Sequence, residues 1–152
     1  AAPSVETPVL APGGDIKQLT SANPPNEAFV RTSLATALTE KKPILLMIAT
    51  PAFCRSRVCG PQYEEMASLY DTYEDRVTFI QVEPYPLDAT GQPTVDQANG
   101  QWQLAPIVTA YNLPGEPWTF VIDSDGKIAA KFEGLANADE VSKALDATLS
   151  RY

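Results

Sequence analysis

Cys54 and Cys59 are the only cysteines among the 152 residues, and with no histidine in the chain they are the residues whose type and spacing point to covalent chemistry. Four residues separate them, two of which are Arg55 and Arg57. The reactive form of a cysteine is the thiolate, which is favoured beside cations and at a helix N-terminus, where free amides and the positive end of the helix dipole collect. Both conditions are written into this stretch. Gly60-Pro61 follows the second cysteine and opens a segment in which Tyr63, Met66, Tyr70 and Tyr73 recur at helical spacing. Proline suits the first turn of a helix, where its missing N–H costs least. The two arginines are expected to lower the Cys54 pKa; the plainer alternative is that they solvate a loop or pair with Glu64 and Glu65.

The absence of histidine narrows the rest. It removes Ser-His-Asp and Cys-His catalysis, histidine-liganded zinc and the His₂Cys copper site. A net charge of −8 without a basic patch argues against nucleic acid and anionic membrane surfaces as partners. No Gly-rich phosphate loop and no metal-ligand spacing is visible, so no bound cofactor and no metal is expected.

The elements that must position the thiols can be read around them. Ile44 to Ala49 is a continuous apolar run ended by Pro51, the mark of a strand buried on both faces. Before it, Ser33 can cap a helix through about Lys41, which Pro43 stops. After the cysteines a helix is expected from about Gly60 to Glu74, then a second buried strand, Val77 to Val82. The two strands and their helix make a βαβ unit, with parallel strands and a right-handed crossover. Residues 84–101 form a polar insertion too long for a plain connector. A short helix is expected within 93–103, with Trp102 and Leu104 pinning it to the body, and another helix over 106–111. Thr119 to Ile122 and Lys127 to Glu133 read as an antiparallel hairpin around Asp123–Gly126. Asn137 with Glu140 three residues later opens a last helix that buries Val141, Leu145 and Leu149. Residues 16–32 predict a short edge strand or irregular packing.

This pattern resembles the thioredoxin-like superfamily, and within it the exported proteins of the TlpA/ResA kind. Three features carry the resemblance, over roughly residues 33–149: Leu45-Leu46-Met47-Ile48-Ala49-Thr50-Pro51-Ala52-Phe53-Cys54; Gly115-Glu116-Pro117-Trp118-Thr119-Phe120-Val121-Ile122-Asp123 with Asp125-Gly126 behind it; and the hairpin with its terminal helix. The resemblance implies an α/β fold with a central mixed sheet and helices on both faces, and an insertion at about 84–103. It implies that Pro117 is cis and lies beside a disulfide, with the backbone near Glu116 pairing with an extended substrate peptide. Trp118 and Phe53 are candidates for an apolar rim, and Tyr63, Tyr70 and Tyr73 for helix packing. Two departures stand out. Phe53 replaces the family's tryptophan, and the cysteines are four residues apart instead of two. No carboxylate lies in Ile44 to Ala49, where some thioredoxins keep a buried acid.

The spacing itself sets a geometric condition. On a regular helix, five steps separate Cα atoms by roughly 7.5 Å along the axis, beyond the ~4.4–6.8 Å usual for a disulfide. A Cys54–Cys59 disulfide therefore needs the intervening residues to be a loop, with the helix beginning near Cys59. Cys54 is then the attacking thiol and Cys59 the resolving one. Three readings of the pair stay open: an exchange site for protein thiols and disulfides, a structural staple in a non-catalytic binding module, or a thiol peroxidase. The last arises because Thr50-Pro51-Ala52-Phe53-Cys54 is similar to the peroxiredoxin Q pattern, with one residue too many before the cysteine. A staple over so short a loop constrains little of the unfolded chain.

The expected organisation is a flexible Pro/Gly-rich tether over residues 1–15 and one thioredoxin-like domain over 16–152. The tether follows a removed signal peptide or a lipid anchor in this reading, which places the protein outside the cytoplasm, free or held at a membrane; the alternative is an ordinary disordered terminus. The expected partners are protein thiols and disulfides or a redox partner protein, and the expected state is a monomer.

Overall fold

A computed structural model of the chain describes residues 1–54 and 57–150. The elements run α1 (Leu34–Thr39), β1 (Ile44–Ile48), α2 (Cys59–Ala67), α3 (Tyr70–Tyr73), β2 (Thr78–Val82), α4 (Pro106–Ala110), β3 (Trp118–Ile122), β4 (Ile128–Glu133) and α5 (Ala138–Leu149), after two 3₁₀ turns at Ile16–Gln18 and Glu27–Val30. The sheet order is β2-β1-β3-β4. β1 pairs parallel with β2 and antiparallel with β3, and β3 pairs antiparallel with β4. This is a mixed sheet with helices on both faces, as the resemblance implies.

β1 is buried at every position, and its side chains alternate between two cores. Leu45 and Met47 join Phe79 and Val121 under α2, α3 and α5, where Phe29, Tyr63, Met66, Tyr73, Val141 and Leu145 close the layer. Ile44, Leu46 and Ile48 join Ile80, Phe120 and Ile122 on the opposite face, covered by Leu34 and Ala37 of α1 and Ile107 of α4. Burial on both faces explains why the run carries no alternation. β4 closes the sheet as a largely exposed edge.

The caps form where the sequence places them. Ser33 accepts from the Thr36 amide and Asn137 from the Glu140 amide. The first fifteen residues, expected as a tether, make specific contacts with the body. Val5 is buried, the Leu34 amide donates to Thr7 Oγ1, and the Ala2 amide donates to the Gly126 carbonyl.

Three local expectations fail. The helix expected over 60–74 is interrupted after Ala67, where the Ser68 hydroxyl turns back to donate to the Glu65 carbonyl. No helix forms within 93–103: the Asp96 and Asn99 side chains accept from the Ala98 and Gln101 amides, and Gly100 takes φ 70°. Those contacts favour turns over helix, and isolated bridges Leu87–Pro93 and Val95–Trp102 hold the loop instead. Leu104 is 55% exposed and pins nothing.

Candidate active site

One end of the sheet collects the residues of interest. In the register of the strands, Ile48 lies opposite both Val82 and Trp118. The carboxyl ends of β1 and β2 and the amino end of β3 therefore meet there. β1 leads into the cysteine loop, β2 into Glu83, and Glu116-Pro117 enters β3.

Cys54 and Cys59 form a disulfide with a Cα–Cα distance of 5.7 Å. The geometric condition is met as expected. α2 begins at Cys59, and Arg57, just ahead of it, sits in the left-handed region at φ 68°. A non-glycine residue there marks a tight turn rather than helix. Arg57 is exposed, and Arg55 lies outside the described residues. The two sulfurs are placed differently: Cys59 is 0% exposed, whereas Cys54 is half-buried. Val58, the cap of α2, provides no side-chain cap hydrogen bond.

The Glu116–Pro117 peptide is cis and Pro117 is buried. Glu116 is half-buried, and its Oε2 accepts from the Tyr85 hydroxyl at 2.9 Å. Trp118 stacks on Phe120, with ring centroids 6.0 Å apart, in the core beneath α1 and α4. Phe53 finds a different aromatic neighbour: it meets Trp102 edge-on at 6.0 Å, and Trp102 meets Tyr85 at 5.1 Å. The aromatic chain bordering the cysteine loop is thus Phe53–Trp102–Tyr85, which brings the insertion to the site. A groove of ≈ 350 Å³ lined by Tyr85, Leu104, Val108, Leu113 and Glu116 runs beside it.

Two buried polar clusters flank the loop, and sequence reasoning found neither. In one, Gln62 of α2 donates to Thr119 Oγ1 at 2.9 Å and accepts from the Ala136 amide at 2.7 Å. In the other, Glu83 is 5% exposed. Its Oε2 accepts from the Ser21 amide at 3.0 Å and from Gln81 Nε2 at 2.8 Å. The Ser21 hydroxyl donates to the same carboxylate and accepts from the Ala52 amide at 3.0 Å. Burial raises the Glu83 pKa, and hydrogen bonds from Thr50, Ser21 and Gln81 counter part of that rise. The available signal was a carboxylate directly abutting an apolar strand.

Among the described residues no cluster of side chains could hold a metal ion, and no helix is long and apolar enough to cross a membrane.

The chain matches the model of the thioredoxin-like domain over residues 30–149. Solved structures share its architecture at low identity. A thio-disulfide isomerase from Thermus thermophilus superposes with a TM-score of 0.55 at 19% identity, covering 94% of this chain and 95% of that one. A putative thiol:disulfide interchange protein, DsbE, from Chlorobium tepidum gives 0.53 at 18% identity, covering 74% and 84%. The exposed lipoprotein thioredoxin Etrx1 from Streptococcus pneumoniae gives 0.51 at 14% identity, covering 72% and 89%. No curated protein matches.

Proposed function

The chain belongs to the thioredoxin-like domain family, and from that premise we propose that it exchanges thiols and disulfides with protein partners through Cys54 and Cys59. The observation that carries this reading is the asymmetry of the pair: a half-buried Cys54 bonded to a fully buried Cys59 at the first turn of α2.

The chemistry balances in either direction. In the reduced protein, the Cys54 thiolate attacks a substrate disulfide, forms a mixed disulfide and releases one substrate thiolate. Cys59, deprotonated, then attacks Cys54 Sγ, re-forming Cys54–Cys59 and releasing the second substrate thiolate. Two electrons pass from the cysteine pair to the substrate, and the released thiolates take up the protons lost by the cysteines. The reverse sequence oxidises a substrate dithiol. Cys54 is the entry point because a partner sulfur can reach it; Cys59 resolves because it is sheltered. Arg55 and Arg57, one and three residues after Cys54 in the sequence, favour its thiolate in this reading. The segment Glu116-Pro117-Trp118 shapes the docking edge, since the strand register sets it at the same end of the sheet.

The protein acts outside the cytoplasm in this reading, which the exposed lipoprotein thioredoxin among its structural neighbours supports. Fractionation of cells followed by immunodetection checks the location.

The decisive experiment is Cys59→Ser. Without the resolving thiol, mixed disulfides at Cys54 persist and partners are recovered as reducible adducts by non-reducing electrophoresis. Recovery of none from the native compartment sinks the proposal. The reduction potential discriminates the structural alternative: above about −250 mV supports exchange, and below about −300 mV, with slow thiols, marks a staple.

A further inference from the structure

Glu83 is a buried carboxylate whose hydrogen-bond partners among the described residues, Ser21, Thr50 and Gln81, are all uncharged. An unneutralised carboxylate in the interior is costly, and such groups are kept where hydrogen bonds hold them or where they titrate. The arrangement around it is specific. Oε2 receives two obligate donors, the Ser21 amide and the Gln81 side-chain amide. The Gln81 orientation is settled because Nε2 donates also to the Ala49 carbonyl at 2.7 Å, so both of its partners are acceptors. A proton arriving on the carboxylate must therefore sit on Oε1. The hydroxyl groups around the carboxylate are Ser21, 3.2 Å from either oxygen, and Thr50. Hydroxyls reverse direction freely, so the cluster survives protonation.

The same hydroxyl holds the cysteine loop. Ser21 Oγ accepts from the Ala52 amide, and two residues of chain, at most about 7 Å, separate Ala52 from Cys54. On its other side Glu83 lines a cavity of ≈ 280 Å³ with Gln18, Leu19, Gln81, Pro86 and Ala105. That is room for several waters, and Gln81 Oε1 is a buried acceptor with no hydrogen-bond partner. The named lining of this cavity includes neither cysteine.

We propose that Glu83 is a positioning residue of the exchange site, holding the segment that leads into Cys54 and taking up a proton when the Cys54–Cys59 disulfide is reduced. The proposal rests on the exchange reading for its purpose, but not for its test. Reduction by a dithiol breaks the Cys54–Cys59 bond with two electrons and leaves negative charge on Cys54 wherever that thiol ionises. This charge raises the proton affinity of a carboxyl group coupled to it. Among the described residues, the titratable group shown to feel the Glu83 charge is Tyr63 of α2, whose own pKa is raised first by burial and further by Glu83. Ser21, Thr50 and Gln81 carry no charge.

The test equilibrates the full chain and its Glu83→Gln variant with dithiothreitol from pH 5 to 8, reading reduced and oxidised protein by alkylation and mass. The ratio of the two equilibrium constants is expected to change by about threefold or more across that range, wild type favouring reduction more as pH falls. Threefold corresponds to a shift of about half a pKa unit between redox states. A constant ratio overturns the proposal, since a purely structural role would alter stability without altering the pH profile. If Glu83→Gln does not fold, ¹³C NMR of the wild-type Glu83 carboxyl in the oxidised and reduced protein decides: a higher midpoint in the reduced form supports the proposal, and equal midpoints overturn it. Neither measurement uses a protein partner, so an empty Cys59→Ser trap would remove the exchange reading while leaving this result standing.

Discussion

Two buried glutamines sit within one turn or strand end of the cysteine loop, and they are built differently. Gln62 is 0% exposed and has both ends satisfied by neutral partners, Thr119 and the Ala136 amide. Gln81 is 2% exposed, donates to a carboxylate and to the Ala49 carbonyl, and leaves Oε1 without a hydrogen-bond partner. The first cluster has one protonation state and ties α2, β3 and the approach to α5 into one piece. The second contains a group that titrates and hydroxyls that can follow it. A closed, neutral network fixes geometry; an open one around a carboxylate lets geometry respond to protons. Along the chain, the cysteine loop runs from the Glu83 cluster at Ala52 to the Gln62 cluster in α2.

The sharpest way to break this comparison is Gln62→Leu. It leaves the Ala136 amide and the Thr119 hydroxyl buried without their partner, at ~1–3 kcal/mol each. A loss of about 2–4 kcal/mol is expected, read as a lower urea midpoint at unchanged slope. A loss under about 0.5 kcal/mol would mean that the neutral cluster does not hold the wall.

Ser21→Ala comes next. It removes the hydroxyl shared by Glu83 and the Ala52 amide, and about 1 kcal/mol is expected. Faster alkylation of reduced Cys54 should accompany it as the loop loosens; an unchanged alkylation rate would show that Ser21 does not restrain the loop.

The smallest effect at neutral pH belongs to Glu83→Gln, under about 1 kcal/mol, and its value lies in its sign with pH. Burial raises the folded-state pKa of Glu83 above the unfolded value. The native state therefore binds the proton more tightly. The stabilisation that results is fully present below the unfolded pKa and is lost as pH rises through the folded pKa. Wild type should gain on the variant as pH falls through that window in urea titrations. A gap that is flat with pH would show Glu83 to be no different from the amide.

Much of this was legible in the chain itself. The continuous run at β1 announces two-sided burial, Asn137 with Glu140 marks the start of α5, and the position of Gly60-Pro61 locates the first turn of α2. What stayed hidden depends on long-range contact. Gln62 occupies a helix position that reads as polar and outward, yet its partners lie 57 and 74 residues away. Glu83 looks like a strand end emerging into solvent; Ser21, 62 residues earlier, comes back to cover it. The insertion misleads for a local reason: the Asp and Asn side chains in it favour turns over the helix that length alone suggests. Phe53 and Trp102 meet across nearly fifty residues, so the aromatic border of the site cannot be read from spacing.

The bond between the Ala2 amide and the Gly126 carbonyl has a consequence for how the molecule faces the world. Gly126 lies in the turn that joins β3 to β4, and Ile122, just before that turn, pairs with Ile44 at the start of β1. The cysteines follow the far end of the same five-residue strand, roughly 17 Å of sheet away at ~3.3 Å per residue. The first residues are therefore moored at one pole, and the half-buried Cys54 lies at the other. A fusion partner, bead or surface joined at this end leaves Cys54 on the far side, which makes N-terminal immobilisation the natural way to present it to a thiol reagent in solution.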